Sequence, residues 1–168
     1  MRRTIRIPLA IVTIGAAILI ADLKWGPHAR LGPGRHLPEI ELSAPHASTV
    51  RVSDFGGKVI LLNFFASWCS QCNAEAPHLE NLWNRYRSRG FQVVAIDVEE
   101  PAEKAVEFRR RHALTFPVVA DPQRRLFNHF FIWPDYNLPY TILVSKDGVI
   151  RMVDIPLKSL PAAIEKLL

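Results

Sequence analysis

Cysteine is scarce in this sequence, since Cys69 and Cys72 are the only two in 168 residues. A zinc site around this pair would need a second pair of ligands at suitable spacing, which neither His78 nor His112 supplies. From residue 38 to residue 168 there is no internal repeat and no low-complexity tract. The net charge of +5 comes mostly from scattered arginines, without the aromatic platform that single-stranded nucleic acid requires. Nucleic acid is therefore excluded as a partner, and the two cysteines carry the functional information.

The two cysteines stand three positions apart, between two segments of regular pattern. The run Val59–Phe65 is apolar except for Asn63, which predicts a buried strand. After Cys72, apolar residues recur at helical spacing as far as Tyr86, which predicts a helix. A C-x-x-C pair that opens a helix after a strand is typical of a thioredoxin-like redox site. The alternatives, a structural disulfide or half of a zinc site, are less well supported by this context.

The start of a helix is a favourable place for a reactive thiol. The unpaired N–H groups and the helix dipole favour negative charge there, so Cys69 should ionise more easily than a free cysteine. One helical turn separates Cys69 from Cys72, so a disulfide between them can close with little movement of the backbone. We therefore expect Cys69 to attack the disulfide of a partner and Cys72 to resolve the mixed disulfide.

The first 24 residues differ in character from the rest. Arg2, Arg3 and Arg6 precede an uncharged stretch at 7–21, a pattern that places the arginines in the cytoplasm and the following chain outside it. The stretch is short for a spanning helix, which needs about 20 residues. Cleavage after residue 21 would place Leu19 where signal peptidase prefers a small residue. A retained anchor is thus favoured over a removed signal, and both put the cysteines outside the cytoplasm.

Three parts of the chain are predicted. Residues 1–24 form the basic flank and membrane segment, residues 25–36 form a linker rich in glycine and proline, and residues 37–168 form a folded domain. Within the domain, strand and helix patterns alternate, which indicates an α/β fold with a mixed central sheet flanked by helices. Short strands at 40–42 and 49–52 are predicted as an N-terminal β extension. A buried strand at 92–97, a short helix at 124–131 and a hairpin of strands at 140–144 and 149–153 are also predicted. Ser159 is expected to cap the last helix, with Pro161 in its first turn.

Several motifs stand in the same order as the motifs of one known protein family. Residues 57–69, GKVILLNFFASWC, are similar to the family's G-K-x-x-x-x-N-F-W-A-S-W-C. Residues 74–77, AEAP, look like its A-E-x-P, and residues 116–121, FPVVAD, look like its F-P-V-x-x-D. Pro139 stands where the family has a cis-proline. Over residues 37–168 the chain therefore resembles the membrane-tethered thioredoxin-like proteins of the TlpA/ResA/CcmG type, and this resemblance implies a thioredoxin-like fold.

The resemblance also implies roles for residues near the cysteines. Cys69 would be the nucleophile and Cys72 the resolving thiol, while Glu75 would be a buried acid that exchanges a proton with Cys72. The alternative for Glu75 is an ordinary surface residue in the first turn of a helix. Asn63 stands where thioredoxin has a buried aspartate, and an amide cannot shuttle protons at neutral pH.

A surface for the substrate is implied as well. A cis bond between Leu138 and Pro139 would expose main-chain groups of Leu138, with which a substrate peptide can pair as an added strand. Trp68 is expected to form a partly exposed wall beside Cys69. Trp133, Pro134 and Tyr136 lie in a longer loop before Pro139, which we expect either to select partners or simply to pack.

The sequence departs from the family at two places. Gln71 stands where most relatives have proline before the second cysteine, and this change should shift the balance between dithiol and disulfide. Asp154, Ile155 and Pro156 replace a glycine that often follows the last strand. The second change affects a local turn rather than the chemistry.

The function predicted from these features is reduction of disulfides in specific partner proteins, without a cofactor or a metal. The family's substrates include apocytochrome c before haem attachment and cysteine pairs of copper-site proteins, and a membrane thiol reductase would supply the electrons. The protein would be a single-pass protein of the cytoplasmic (inner) membrane whose catalytic domain faces the periplasm or the cell exterior. One alternative is an oxidase or isomerase that forms disulfides. Another is a copper-delivery module that uses the two cysteines and a histidine, for which His129 is the loop candidate.

Overall fold

The computed structural model describes residues 31–39, 41–42, 50–98, 100–130 and 137–168. Its strands and helices, in chain order, are β1 (Glu41–Leu42), β2 (Val50–Arg51), β3 (Val59–Phe65), α1 (Ser70–Tyr86), β4 (Phe91–Val98), α2 (Ala102–Arg111), β5 (Val118–Asp121), β6 (Tyr140–Val144), β7 (Ile150–Val153) and α3 (Leu160–Glu165). Single 3₁₀ turns lie at Val52–Phe55, Arg87–Arg89, Phe127–His129 and Leu157–Ser159. The predicted membrane segment at 1–24 lies outside the described residues.

The central sheet is mixed, as the sequence predicts. Its five strands lie in the order β5-β4-β3-β6-β7. Strands β3, β4 and β5 run parallel, whereas β6 pairs antiparallel with β3 and β7 antiparallel with β6. Every residue of β3 is buried, because this strand lies at the centre of the sheet with side chains packed on both faces. A strand buried on both faces needs apolar residues at successive positions, which explains why the run is apolar at every position except Asn63.

The two faces of the sheet carry separate hydrophobic cores. Successive side chains of a strand point to opposite faces, so β3 sends Val59, Leu61 and Phe65 to one core and Ile60, Leu62 and Phe64 to the other. The first core is closed by apolar side chains of the three helices, namely Leu79, Leu82, Tyr86, Phe108, Leu160 and Ile164. The two cysteines belong to this first core. The helical face of the sheet therefore supports the redox pair.

The second core is closed by the segment after β5, which Asp121 holds in place. Its buried carboxylate accepts hydrogen bonds from the backbone N–H groups of Arg125 (2.7 Å), Leu126 (3.0 Å) and Phe127 (3.0 Å). Leu126 and Phe127 are fully buried, and the ring of Phe127 meets Phe64 edge-on with the centroids 6.2 Å apart. The structure thus gives a physical reason for the aspartate at the end of the FPVVAD motif. The helix predicted from Arg124 onward is only the single 3₁₀ turn Phe127–His129.

The N-terminal part of the domain covers one open edge of the sheet. Strands β1 and β2 pair antiparallel, which confirms the predicted β extension. Residues 31–36, which the sequence places in a linker, belong to the folded unit Leu31–Leu168. Gly34 donates to the carbonyl of Ile150 (2.8 Å), and Arg35 accepts from the N–H of Ile150 (2.8 Å). This segment therefore pairs with Ile150, at the beginning of the outer edge of β7.

Two further findings concern the helices of the described residues. No helix among the described residues is long and apolar enough to cross a membrane. The last helix begins where predicted, but the side chain of Ser159 makes no capping hydrogen bond. The reason is local geometry, because Ser159 has helical φ and ψ (−93° and −14°) at the end of a 3₁₀ turn, whereas a capping residue is extended.

Candidate active site

The two cysteines form a disulfide at the beginning of α1. Their Cα atoms are 5.2 Å apart, and Cys69 is the N-cap residue with an extended backbone (φ −74°, ψ 114°). The N–H of Cys72 points at the Sγ of Cys69, at 3.1 Å. The first turn of α1 contains no acidic residue, so its free N–H groups face no competing negative charge. This geometry stabilises a thiolate at Cys69 once the disulfide is opened.

The surface next to the disulfide contains the three residues expected to contact a substrate. Trp68 exposes 67% of its surface, whereas Cys69 exposes 7% and Cys72 only 3%. The bond between Leu138 and Pro139 is cis, as predicted. The carbonyl oxygen of Leu138 lies 3.6 Å from the Sγ of Cys69, before the pairing of β6 with β3 begins. An exposed aromatic side chain and a main-chain carbonyl outside the sheet ladder thus flank the buried cysteine pair.

Glu75 differs from the expectation, because it is half-buried rather than buried. It accepts a hydrogen bond of 2.9 Å from Nε2 of Gln71, which is exposed and lies one turn earlier on the same side of α1. The residue that replaces the usual proline is therefore the partner of Glu75. Proton exchange between Glu75 and Cys72 stays a prediction.

Asn63 lies behind the cysteines in the middle of β3. Its Cα is paired with Ala95 on one side and Thr141 on the other, and only 4% of its surface is exposed. Its Nδ2 has no hydrogen-bond partner among the described residues. An amide does not ionise in the physiological range, so this position supplies a polar but neutral group to the core beneath the disulfide.

A clamp on the loop before Cys69 was not predicted from the sequence. The hydroxyl of Ser67 donates to Oε1 of Glu100 at 2.7 Å, and the N–H of Ser67 donates to Oε2 of the same carboxylate. The two residues are 33 positions apart and meet because β3 and β4 are parallel neighbours. One carboxylate thus fixes both polar hydrogens of the residue that precedes Trp68.

Asn73 forms a second connection that the sequence did not reveal. Its Nδ2 donates to the carbonyl oxygens of Ser67 (3.0 Å) and Cys69 (2.8 Å). Its Oδ1 lies 2.9 Å from Nε2 of His112, at the end of α2. Because Oδ1 can only accept, Nε2 of His112 must carry the hydrogen. Burial, followed by the charge of Arg111, lowers the pKa of His112 and favours the neutral ring.

Replacing Asn73 with alanine should loosen the loop that carries Cys69. Three hydrogen bonds are lost, and we expect the free energy of unfolding to fall by about 1–3 kcal/mol. Urea denaturation of N73A, H112A and the double variant measures this effect and the coupling between the two residues. Strictly additive effects would show that the contact between Asn73 and His112 contributes nothing.

Asp97 is a further acidic residue, for which the sequence predicted only a place in a buried strand. It lies at the end of β4 on the helical face of the sheet, and none of its surface is exposed. Burial raises the pKa of Asp97 to about 9, and the neighbouring Glu100 adds to this effect. The signal in the sequence was an acid inside the apolar run VVAIDV, a combination that requires either a partner or a proton.

Metal ligands and the remaining predicted residues can also be placed. Within the described part of the chain, no group of three or more His, Cys, Asp and Glu side chains could hold a metal ion. His129 is exposed on the 3₁₀ turn Phe127–His129. The loop residues Trp133, Pro134 and Tyr136 lie outside the described residues, so their expected role in partner selection stays a prediction.

The fold and the site together define a class of protein. A C-x-x-C disulfide at the start of a helix, beside a cis X-Pro bond and on a mixed five-stranded sheet, is the arrangement of a thioredoxin-like redox protein. The family model described as AhpC/TSA matches residues 33–153, and the chain belongs to this family of thioredoxin-like proteins.

Individual relatives narrow the class. The chain is 33% identical over 152 residues to the thiol-disulfide oxidoreductase ResA of Geobacillus thermodenitrificans, covering 86% of each protein. It is 30% identical over 124 residues to ResA of Bacillus subtilis, covering 73% of this chain and 68% of that protein. A Chlorobium tepidum structure described as the thiol:disulfide interchange protein DsbE is similar with a TM-score of 0.70 and 26% identity, covering 82% of this chain and 98% of that one. The chain is thus a thiol–disulfide oxidoreductase of the ResA/DsbE type, as the motifs indicated.

Proposed function

We propose that this protein is a membrane-anchored, extracytoplasmic reductase of disulfides in specific partner proteins. The observation that carries the proposal is the setting of Cys69, whose Sγ lies between the N–H of Cys72 and the carbonyl of Leu138. The first group stabilises the attacking thiolate, and the second lies where the main chain of a substrate can pair. Trp68 adds an exposed aromatic surface beside them.

The reaction follows from the positions of the two sulfur atoms. The thiolate of Cys69 attacks one sulfur of the partner's disulfide, whose S–S bond breaks and whose other sulfur leaves as a thiolate that takes up a proton. Cys72, deprotonated in turn, attacks Sγ of Cys69, which forms the Cys69–Cys72 disulfide and releases the second partner thiol. The partner has then gained two electrons and two protons. A dithiol of a membrane thiol reductase then supplies two electrons and two protons to the Cys69–Cys72 disulfide and restores the reduced protein.

The substrate class is a pair of cysteines in an extended, accessible segment. Apocytochrome c before haem attachment and copper-site proteins of a terminal oxidase both present such pairs, and the resemblance to ResA and DsbE favours them. A peptide that pairs with the main chain of Leu138 would bring its disulfide over Cys69 while Trp68 contacts its side chains. Specificity then depends on the residues that flank the partner's cysteines.

A comparison of the reduction rates of two peptides tests this substrate class. The reduced full chain is mixed with an oxidised apocytochrome c peptide and, separately, with an oxidised peptide of the same composition whose flanking residues are shuffled. We expect the apocytochrome peptide to react at least about tenfold faster, equivalent to about 1.4 kcal/mol of differential binding. Equal rates would contradict recognition of specific partners, and preference for a peptide from a copper site would assign the second substrate.

The location is proposed from the N-terminal sequence. Three arginines before an uncharged stretch of 15 residues (7–21) favour an anchor with the domain outside the cytoplasm. Protease added to intact spheroplasts should therefore digest the domain without lysis of the cells. A domain that is protected until the cells are lysed would contradict this orientation. A shortened, freely released protein would show that the segment is removed as a signal.

A further inference from the structure

Asp97 is a buried carboxyl group that the exchange reaction described above does not use. Its Cα partners across the sheet are Phe65 on β3 and Ala120 on β5, and neither side chain can ionise or form a hydrogen bond with it. No N–H or O–H group among the described residues donates a hydrogen bond to either carboxyl oxygen of Asp97. The charged groups that act on it are Glu100, after β4, and Lys104, on α2.

An ionised carboxylate without a partner is strongly disfavoured in such a place. Burial is the largest cause that raises the pKa of Asp97, to about 9, followed by Glu100 as hydrogen-bond partner and as negative charge, while Lys104 acts in the opposite direction. At neutral pH Asp97 is therefore a neutral acid with one O–H to donate. The acceptor available to it is the carboxylate of Glu100, which also holds both polar hydrogens of Ser67.

We propose that Asp97 is a positioning residue for thiol–disulfide exchange, which as a neutral acid donates to Glu100 and thereby holds Glu100 on Ser67. Ser67 begins the short loop that carries Trp68 and Cys69. The effect of Asp97 reaches the nucleophile through this chain of contacts and not by contact with substrate. The proposal rests on the exchange reaction at Cys69 and is independent of which partner is reduced.

Ionisation of Asp97 should release the clamp. A second negative charge beside Glu100 in the protein interior repels it, so Glu100 moves away from Ser67 and the loop loosens. The reactivity of Cys69 should therefore rise with pH as its thiolate forms, pass through a maximum near the pKa of Asp97, about 9, and then fall. An amide at position 97 can donate an N–H to Glu100 and cannot ionise, so it should remove the fall at high pH.

The folding equilibrium gives a second, independent signature. The folded-state pKa of about 9 lies above the ordinary value of 3.8, so between these values the folded protein holds a proton that the unfolded chain has released. This contribution to stability is complete below pH 3.8 and is lost as the pH rises to about 9. The melting temperature of D97N relative to the parent protein should therefore increase steadily across this window.

The test measures the alkylation of Cys69 by iodoacetamide between about pH 6 and pH 10.5 in the full chain carrying Cys72→Ser, so that only one thiol is present. In the Cys72→Ser protein that keeps Asp97, the alkylation rate of Cys69 should fall by about threefold at pH values above the maximum. In the protein that also carries D97N, the rate should reach a plateau. D97A, which lacks the donor, should react more slowly than the parent at pH values below the pKa of Asp97, about 9. D147N changes an exposed acid in the β6–β7 turn and serves as the matched control.

The outcomes are separable. The proposal would be overturned if the alkylation rate of Cys69 had the same pH profile with Asp97 as with D97N, and if the melting temperatures of D97N and the parent protein differed by the same amount at every pH. If D97A does not fold, the comparison of the parent with D97N and D147N is sufficient. If the alkaline fall appears but no peptide disulfide is reduced, the positioning role stands and the proposed substrate class fails.

Discussion

Replacing Cys72 with serine is expected to trap the protein in a stable covalent complex with its partner. Cys69 can still attack, but the thiol that would attack its Sγ from one helical turn away is missing. We expect turnover to fall by about a thousandfold or more, while the mixed disulfide accumulates on non-reducing gels. Mass spectrometry of the complex formed with an oxidised peptide identifies the linked cysteine.

Cys69→Ser provides the matched control for this experiment. Of the two sulfurs, Cys69 is the one at the rim, next to the carbonyl of Leu138, whereas Cys72 is the more deeply covered. C69S should therefore lose turnover to the same degree without trapping a complex. Trapping by C69S and not by C72S would reverse the roles of the two cysteines. Trapping by neither would contradict the exchange mechanism.

Replacing Asp121 with alanine is expected to cause a large loss of stability. The carboxylate satisfies three backbone N–H groups in a buried part of the chain, and removing it leaves these donors without a partner. Each unsatisfied donor costs about 1–3 kcal/mol and the losses are not additive, so we expect a decrease of about 3–5 kcal/mol. Urea denaturation monitored by circular dichroism measures the change.

Two variants separate this cause from a general effect of removing an acid. D121N keeps an oxygen that can accept a hydrogen bond, so it should lose clearly less stability than D121A. D147A removes an exposed acid that is paired with Arg151, and it should change stability little. If D121A were as stable as D147A, the role of Asp121 in holding the second core would be wrong.

The central elements were predictable because their pattern is local. Strand β3 was predicted with the bounds that the structure has, since seven successive buried positions require an apolar run. The start of α1 was predictable because a C-x-x-C pair that follows a buried strand is typical of the beginning of a helix. The β6–β7 hairpin was predictable because Gly148, with φ +78°, stands in the turn that the flanking β-rich segments require.

The errors concern segments whose structure depends on distant residues. Residues 31–36 were predicted as a linker because their composition is typical of one. In the structure they form backbone hydrogen bonds with Ile150, at the beginning of β7. The segment after β5 was predicted as a helix. Its backbone N–H groups instead donate to the carboxylate of Asp121, where a helix would have them donate to backbone carbonyls. Glu75 was expected to be buried, but the side of α1 that it shares with Gln71 is partly open.

Around the active site, the sequence predicted the disulfide pair and the cis-proline that the structure places side by side, but not the contacts that support them. Cys69, Cys72 and Pro139 belong to contiguous motifs. The contacts of Ser67 with Glu100 and of Asn73 with His112 join residues 33 and 39 positions apart, so no local pattern contains them. Asp97 was visible only as an acid in an apolar strand, and its neighbour Glu100 had to be placed in three dimensions before a role could be assigned.

The most direct test of the central claim is the reduction potential of the Cys69–Cys72 couple. The full chain is equilibrated with mixtures of reduced and oxidised dithiothreitol or glutathione, and the fraction of disulfide is measured after acid quenching. For a dedicated reductase we predict a potential near or below that of thioredoxin, about −270 mV. A potential near that of DsbA, about −120 mV, would contradict the claim and identify the protein as an oxidant of partner thiols.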